Sequence, residues 1–64
     1  MITENYDKAK DLLSSLRTAI KVEDSEYIKK ILTDIKDVNF NGLDYLYTEF
    51  IYLRSKAKKI IFNS

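Results

Sequence analysis

The chain has 64 residues, no cysteine, no histidine and a formal net charge of +1. The missing residue types exclude disulfide bonds and the common zinc sites, and the near-neutral charge gives no global attraction to nucleic acid or membranes. A domain of this size buries only about 60% of the surface of its unfolded chain, so we expect oligomerisation or partner binding to reinforce the fold.

The start of the sequence resembles neither a membrane span nor a signal peptide. No run approaches the roughly 18 consecutive apolar residues of a membrane helix. Glu4, Asp7 and Asp11 stand where a signal peptide would have a basic start and an apolar run. We therefore expect one domain over residues 1–64, with no membrane segment and a cytoplasmic location.

The first predicted helix spans residues 3–21. Its apolar residues recur at steps of three and four, which is typical of one helical face. They are Ile2, Tyr6, Ala9, Leu13, Leu16 and Ile20. Continuing this pattern would require an apolar residue at position 23 or 24, but Glu23 and Asp24 occupy those positions. We therefore predict that the helix ends there and that Asp24 or Ser25 caps a second helix.

The second predicted helix spans residues 25–38, with an apolar seam formed by Ile28, Ile31, Ile35 and Val38. The segment that follows contains Asn39, Asn41 and Gly42, which are residue types that stop helices and form turns. We predict that Asn41 caps the third helix and that Phe40 packs against Tyr45 at its start. The short connection predicts an antiparallel hairpin of the second and third helices.

The third predicted helix spans residues 42–62 and is roughly 30 Å long at 1.5 Å per residue. Its seam consists of Leu43, Leu46, Phe50, Leu53, Ala57 and Ile60. The predicted fold is an all-α, three-helix bundle in which the first helix packs across the hairpin. We expect it to be dimeric, because the third helix carries more apolar and aromatic surface than one seam can bury.

The excess surface of the third helix divides between two flanks. Tyr45, Tyr52, Lys56 and Lys59 cluster on one side, and Tyr47, Ile51, Arg54, Lys58 and Ile61 line the other. Tyrosine and arginine are enriched at protein interfaces because they combine a large contact area with a polar tip. The predicted partner-binding residues are Tyr45, Tyr47, Ile51, Tyr52, Arg54, Lys56, Lys59 and Phe62.

A nucleic-acid interface is the main alternative. Residues 51–64 contain Arg54, Lys56, Lys58 and Lys59 but no acidic residue. Lysines interleaved with tyrosines can hold phosphates and stack bases, so the alternative is a dimeric nucleic-acid-binding modulator that uses this basic end. Cations near a helix C-terminus also complement the helix dipole, which explains them without a ligand. A third hypothesis is a structural assembly subunit.

Catalysis is not expected from these residue types. Without histidine and cysteine, a nucleophile and its base would have to come from Ser, Lys, Tyr or carboxylates. Gly42 is the only glycine, so the chain has no glycine-rich phosphate loop. The sequence predicts no catalytic, cofactor or metal site, and instead a small non-enzymatic regulatory or inhibitory protein that binds a protein partner or itself. The Ile, Lys, Asn and Tyr bias is typical of the AT-rich genomes of phages and mobile elements.

Overall fold

Three α-helices make up the fold in a computed structural model that describes the backbone of residues 2–63 and the side chains of residues 5–63. Helix α1 is Ile2–Lys21, α2 is Ser25–Ile35 and α3 is Asp44–Asn63. Each helix contacts both of the others, and residues 2–63 contain no strand. The predicted all-α, three-helix architecture is therefore confirmed.

The core is formed by one apolar seam from each helix. Its buried residues are Ala9, Leu13, Leu16, Ala19, Ile28, Ile31, Ile35, Val38, Leu46, Phe50, Leu53 and Ala57. The predicted seams of the second and third helices are confirmed, apart from Leu43 and Ile60, which are half-buried at the two ends.

The predicted seam of α1 needs two corrections. Tyr6 is exposed, and its ring packs against the Lys10 ammonium 5.4 Å from the ring centre. Ala19 is fully buried, whereas the predicted Ile20 is only half-buried. Positions 19 and 20 both follow Leu16 at helical spacing, so the pattern alone could not choose between them. The predicted seam position Ile2 lies outside the described side chains.

The connection between α1 and α2 turns sharply at Glu23. The Glu23 N–H donates to the Ile20 carbonyl at 3.1 Å, and the Asp24 N–H donates to the Ala19 carbonyl at 3.0 Å. These two bonds, together with the left-handed φ of +55° at Glu23, define a Schellman motif. The motif uses carbonyls that the end of a helix leaves unpaired, so it ends α1 without glycine or proline.

Asp24 also begins the next helix. Its side-chain carboxylate accepts the Tyr27 N–H at 3.1 Å, and its carbonyl accepts the Ile28 N–H at 2.9 Å. A carboxylate at this position satisfies a helical N–H that has no backbone partner. The predicted break between the first two helices and its cap are therefore confirmed.

The end of α2 and the start of α3 differ from the predicted boundaries. Helix α2 ends at Ile35 rather than at residue 38, and the backbone continues to Val38 through a tighter turn in which the Val38 N–H donates to the Ile35 carbonyl at 3.1 Å. Such i to i−3 bonds are common in the last turn of helices. Val38 thereby stays buried although it lies beyond the helix.

Helix α3 starts at Asp44, two residues later than predicted. The Leu43 carbonyl accepts the first helical bond from the Tyr47 N–H at 2.9 Å, which makes Leu43 the capping residue in place of the predicted Asn41. Gly42 has a φ of +77°, so the chain cannot already be helical at that residue. Phe40 packs against Tyr47 and Phe50 rather than against the predicted Tyr45.

Asn5 of α1 fixes the loop between α2 and α3. Its side-chain amide N–H donates to the Asn39 carbonyl, and its amide oxygen accepts the Asn39 N–H at 3.3 Å. The Asn39 side chain in turn accepts the Asn41 N–H at 2.9 Å. These bonds satisfy backbone groups that lie outside helices, and they connect the loop to α1 across 34 positions of sequence.

Candidate partner-binding surfaces

The two flanks of α3 border two different grooves. Tyr45 and Glu49 lie with Tyr6, Lys10 and Arg17 along a groove between α1 and α3. On the opposite flank, Arg54 and Lys58 lie along a groove between α2 and α3. One flank identified in the sequence therefore meets the α1 groove at Tyr45, and the other meets the α2 groove at Arg54 and Lys58.

One flank of α3 exposes two tyrosines, and we call Tyr45, Tyr52, Lys56 and Lys59 the tyrosine flank. Tyr45 is 82% exposed and Tyr52 is 59% exposed. The Lys56 ammonium lies 4.8 Å from the centre of the Tyr52 ring, which is a cation–π distance. Large aromatic side chains with this exposure provide contact area for another molecule.

A salt bridge joins α1 and α3 at one end of the groove between them. The Arg17 Nε donates to the Glu49 carboxylate at 2.8 Å, and both side chains are partly exposed. An exposed ion pair contributes at most about 1 kcal/mol to stability. The positive charge of Arg17 also offsets the negative charge of Glu49, which is the only acidic residue of α3 after its first turn.

The other flank is used more heavily for packing. Tyr47 contacts Phe40 with ring centres 5.4 Å apart, and Phe40 stacks on Phe50 at the same distance with an angle of 9° between the rings. Ile51 is half-buried against the core. Tyr47 and Ile51, both predicted to bind a partner, therefore also pack against the fold, and Tyr47 remains 47% exposed.

The groove between α2 and α3 combines an apolar floor with a positively charged rim. Its volume is about 470 Å³. Leu32, Ile35, Val38, Phe40 and Phe50 form the floor, and Lys36, Arg54 and Lys58 form the rim. No carboxylate is among these lining residues, all of which belong to the described part of the chain. We call this surface the cationic groove.

The predicted partner-binding residues thus fall into three places. Tyr45, Tyr52, Lys56 and Lys59 lie on the tyrosine flank, whereas Tyr47, Ile51 and Arg54 lie on the packed side next to the cationic groove. Phe62 lies near the end of α3 and is 92% exposed. The four cations of the basic end are divided between both flanks, and Lys58 and Lys59 border one pocket with Ile61 and Phe62 at the end of α3.

The contribution of α2 and the loop to the cationic groove was not predicted from the sequence. Leu32 lies outside the seam of α2, and Lys36 lies four residues later on the same side of that helical turn. Phe40 was recognised, but its stack on Phe50 depends on the path of the loop. The apolar, off-seam Leu32, together with Arg54 and Lys58 on one flank of α3, was the signal in the sequence that could have indicated this surface.

Within residues 5–63, no polar side chain is buried, and no cluster of acidic residues has the arrangement of a metal site. No helix of the described chain is long and apolar enough to span a membrane. The features that distinguish the described surface are therefore exposed aromatic side chains and the cationic groove.

Comparison with known proteins gives no relative for this chain. No protein-family model, no curated protein and no solved structure matches it.

Proposed function

We propose that this chain is a small, non-enzymatic regulatory or inhibitory protein that acts in the cytoplasm by binding a protein through α3. The main support is the exposure of Tyr45, Tyr52 and Phe62 on a helix whose other side supplies four residues to the core. A partner on this helix would cover aromatic surface that the domain itself leaves in water.

The alternative of a nucleic-acid-binding modulator has less support. Lys56 lies on the tyrosine flank, Arg54 borders the cationic groove, and Lys58 and Lys59 border a third pocket, so the four cations are spread around the helix rather than aligned along one face. In addition, Lys56 covers one face of the Tyr52 ring, which reduces the area on which a base could stack.

We propose that α2 and α3 form the antiparallel hairpin that holds the binding helix in place. Glu23, just before α2, borders one cavity with Lys59, Ile60 and Asn63 at the end of α3. Phe40, after α2, contacts Tyr47 and Phe50 in the first half of α3. Both observations are those expected for helices that run in opposite directions.

The first partner to test is a second copy of the chain, because a homodimer would reinforce a domain of this size. We expect self-association at a protein concentration of about 100 μM, because this is well above the micromolar dissociation constants of ordinary weak complexes. Light scattering coupled to size-exclusion chromatography measures the mass directly. Tyr52→Ala should shift the mass towards the monomer without reducing helicity, because the Tyr52 side chain lies outside the core.

Tyr27→Ala is the matched control, because Tyr27 is also a partly exposed tyrosine (41%) but lies on α2. It should leave the mass unchanged. A wild-type protein that remains monomeric at this concentration, with Tyr45 and Tyr52 unprotected, would contradict the proposed dimer. Equal effects of the two substitutions would show that the tyrosine flank has no special role in association.

A further inference from the structure

We propose that the cationic groove binds an amphipathic helix of a partner protein that carries acidic residues beside its apolar face. This inference rests on the proposed function, because it assumes a protein partner, but it assigns a second surface and the chemistry of what binds there. Its basis is the combination of an apolar floor with three cations, and no carboxylate, among the residues that line the groove.

The floor can receive apolar side chains. Ile35, Val38 and Phe50 are buried at its base, and the half-buried Leu32 and Phe40 leave apolar area open to solvent. A groove between two helices with a volume of about 470 Å³ is in the range of sites that take side chains or ligands. Insertion of an amphipathic helix into an apolar groove is a common mode of peptide recognition.

The rim determines the charge of the occupant. Lys36 stands just after α2, and Arg54 and Lys58 are separated by one turn on α3. The Arg54 guanidinium also lies 5.5 Å from the centre of the Phe50 ring, which holds it at the edge of the floor. Carboxylates on both sides of an inserted apolar face would meet these cations, whereas a basic helix would be repelled.

Two copies of the chain would not pair favourably groove to groove. In a two-fold symmetric dimer of that kind, the rims formed by Lys36, Arg54 and Lys58 would face each other across the interface. Like charges brought together in this way oppose association. Self-association through the tyrosine flank and binding of an acidic helix in the cationic groove are therefore separate events.

The spacing of the cations favours a peptide over a small anionic amphiphile. A fatty acid has one carboxylate, which could pair with one part of the rim only. Three cations that come from two sides of the groove match several carboxylates distributed along a helix. An amphipathic peptide with flanking glutamates satisfies both the floor and the rim.

The test uses two synthetic peptides of about 15 residues, near the length at which isolated helices become stable. Both carry leucines at helical spacing, and the flanking residues are all glutamate in one peptide and all lysine in the other. Titration into the full-length protein, followed by backbone amide NMR, should show binding of the glutamate peptide with shifts at Leu32, Phe40 and Arg54. The affinity should fall as salt is raised.

Charge reversal supplies the matched variants. The double variant Lys36→Glu, Lys58→Glu should lower the affinity for the glutamate peptide roughly tenfold and raise the affinity for the lysine peptide. Lys8→Glu makes the same charge change at an exposed residue of α1 that does not line the groove, so it should change the affinity by less than about twofold. Both altered residues of the double variant are exposed, and circular dichroism should confirm that helicity is retained.

Several results would overturn the inference. Equal binding of the two peptides, or no binding at about millimolar peptide, would contradict it. So would NMR shifts confined to Tyr45 and Tyr52. Binding of the fatty acid dodecanoate without binding of the glutamate peptide would also contradict it. The Tyr52→Ala association experiment is independent of this test. If Tyr52→Ala weakens self-association while the glutamate peptide fails to bind, the groove assignment is wrong and the proposed function stands.

Discussion

Glu23 ends α1 in a conformation that glycine adopts more easily than any other residue. With a φ of +55°, its Cβ approaches the following carbonyl oxygen, which costs about 1–2 kcal/mol for an L-residue. The turn is nevertheless stabilised by the two Schellman bonds and by the Asp24 cap that follows immediately. Hydrogen bonding and capping therefore offset local backbone strain at this connection.

Replacing Glu23 with glycine should stabilise the domain by about 0.5–1 kcal/mol. The substitution removes the steric cost of the left-handed residue, and the greater freedom of glycine in the unfolded chain cancels part of the gain. Urea denaturation followed by circular dichroism measures the change. Lys21→Gly is the control, since Lys21 lies in the last turn of α1 and glycine there should cost about 1 kcal/mol.

The two glycine variants should therefore change stability in opposite directions. If Glu23→Gly destabilises the protein as much as Lys21→Gly does, the backbone at residue 23 is not left-handed in solution.

Among the elements, the boundaries of α2 and α3 show what the sequence could and could not predict. The α1–α2 break was predictable because the apolar phase fails at Glu23 and Asp24 is a strong capping residue. The start of α3 was predicted too early, because Asn41 and Gly42 are compatible with several turns. The left-handed Gly42 and the bonds between Asn5 and Asn39 select one of these turns.

The same distinction applies to the candidate surfaces. Exposure of Tyr45, Tyr52 and Phe62 was predictable, because they lie off the helical seam of α3. The cationic groove was not, because it requires Lys36 and Phe40 to meet α3, and those contacts span two elements and a loop. The periodicity of apolar residues identifies the faces of one helix, but it does not predict which neighbouring helix or loop each face will contact.

The contact between Asn5 and Asn39 provides a test of how α1 holds the loop. Asn5→Ala removes both hydrogen bonds and should destabilise the domain by about 1 kcal/mol. Asn5→Asp keeps an acceptor for the Asn39 N–H but places a second oxygen against the Asn39 carbonyl, so it should cost at least as much. Hydrogen exchange at the Asn39 amide should become faster in both variants.

Asn63→Ala serves as the control for this pair, because Asn63 is an exposed asparagine at the end of α3. Its effect on stability should be small. Unchanged Asn39 exchange in Asn5→Ala would show that α1 does not restrain the loop.

At the scale of the whole molecule, the twelve buried apolar residues found within residues 5–63 form a single core to which all three helices contribute. A domain of this size has a free energy of unfolding of only a few kcal/mol from one such core. Removing one large core side chain should therefore unfold the entire chain rather than loosen one helix. Exposed aromatic residues of the same helix should have no comparable effect on folding.

Phe50 and Phe62 allow this contrast to be measured within α3 with one residue type. Phe50 is 8% exposed and stacks on Phe40, whereas Phe62 is 92% exposed. Phe50→Ala should cost about 3–5 kcal/mol and abolish the helical circular dichroism signal. Phe62→Ala should retain that signal and the unfolding midpoint at low protein concentration, while it weakens association with a partner.

The pair also tests whether α3 has a free surface at all. If Phe62→Ala unfolds the chain as completely as Phe50→Ala, the end of α3 is required for folding and its aromatic surface is not reserved for a partner. If Phe50→Ala remains folded, α3 does not complete the core, and the rigid presentation of Tyr45 and Tyr52 on which the proposed function depends would be lost. If only Phe50→Ala abolishes folding and only Phe62→Ala weakens association, then one side of α3 stabilises the fold and the other side binds a partner.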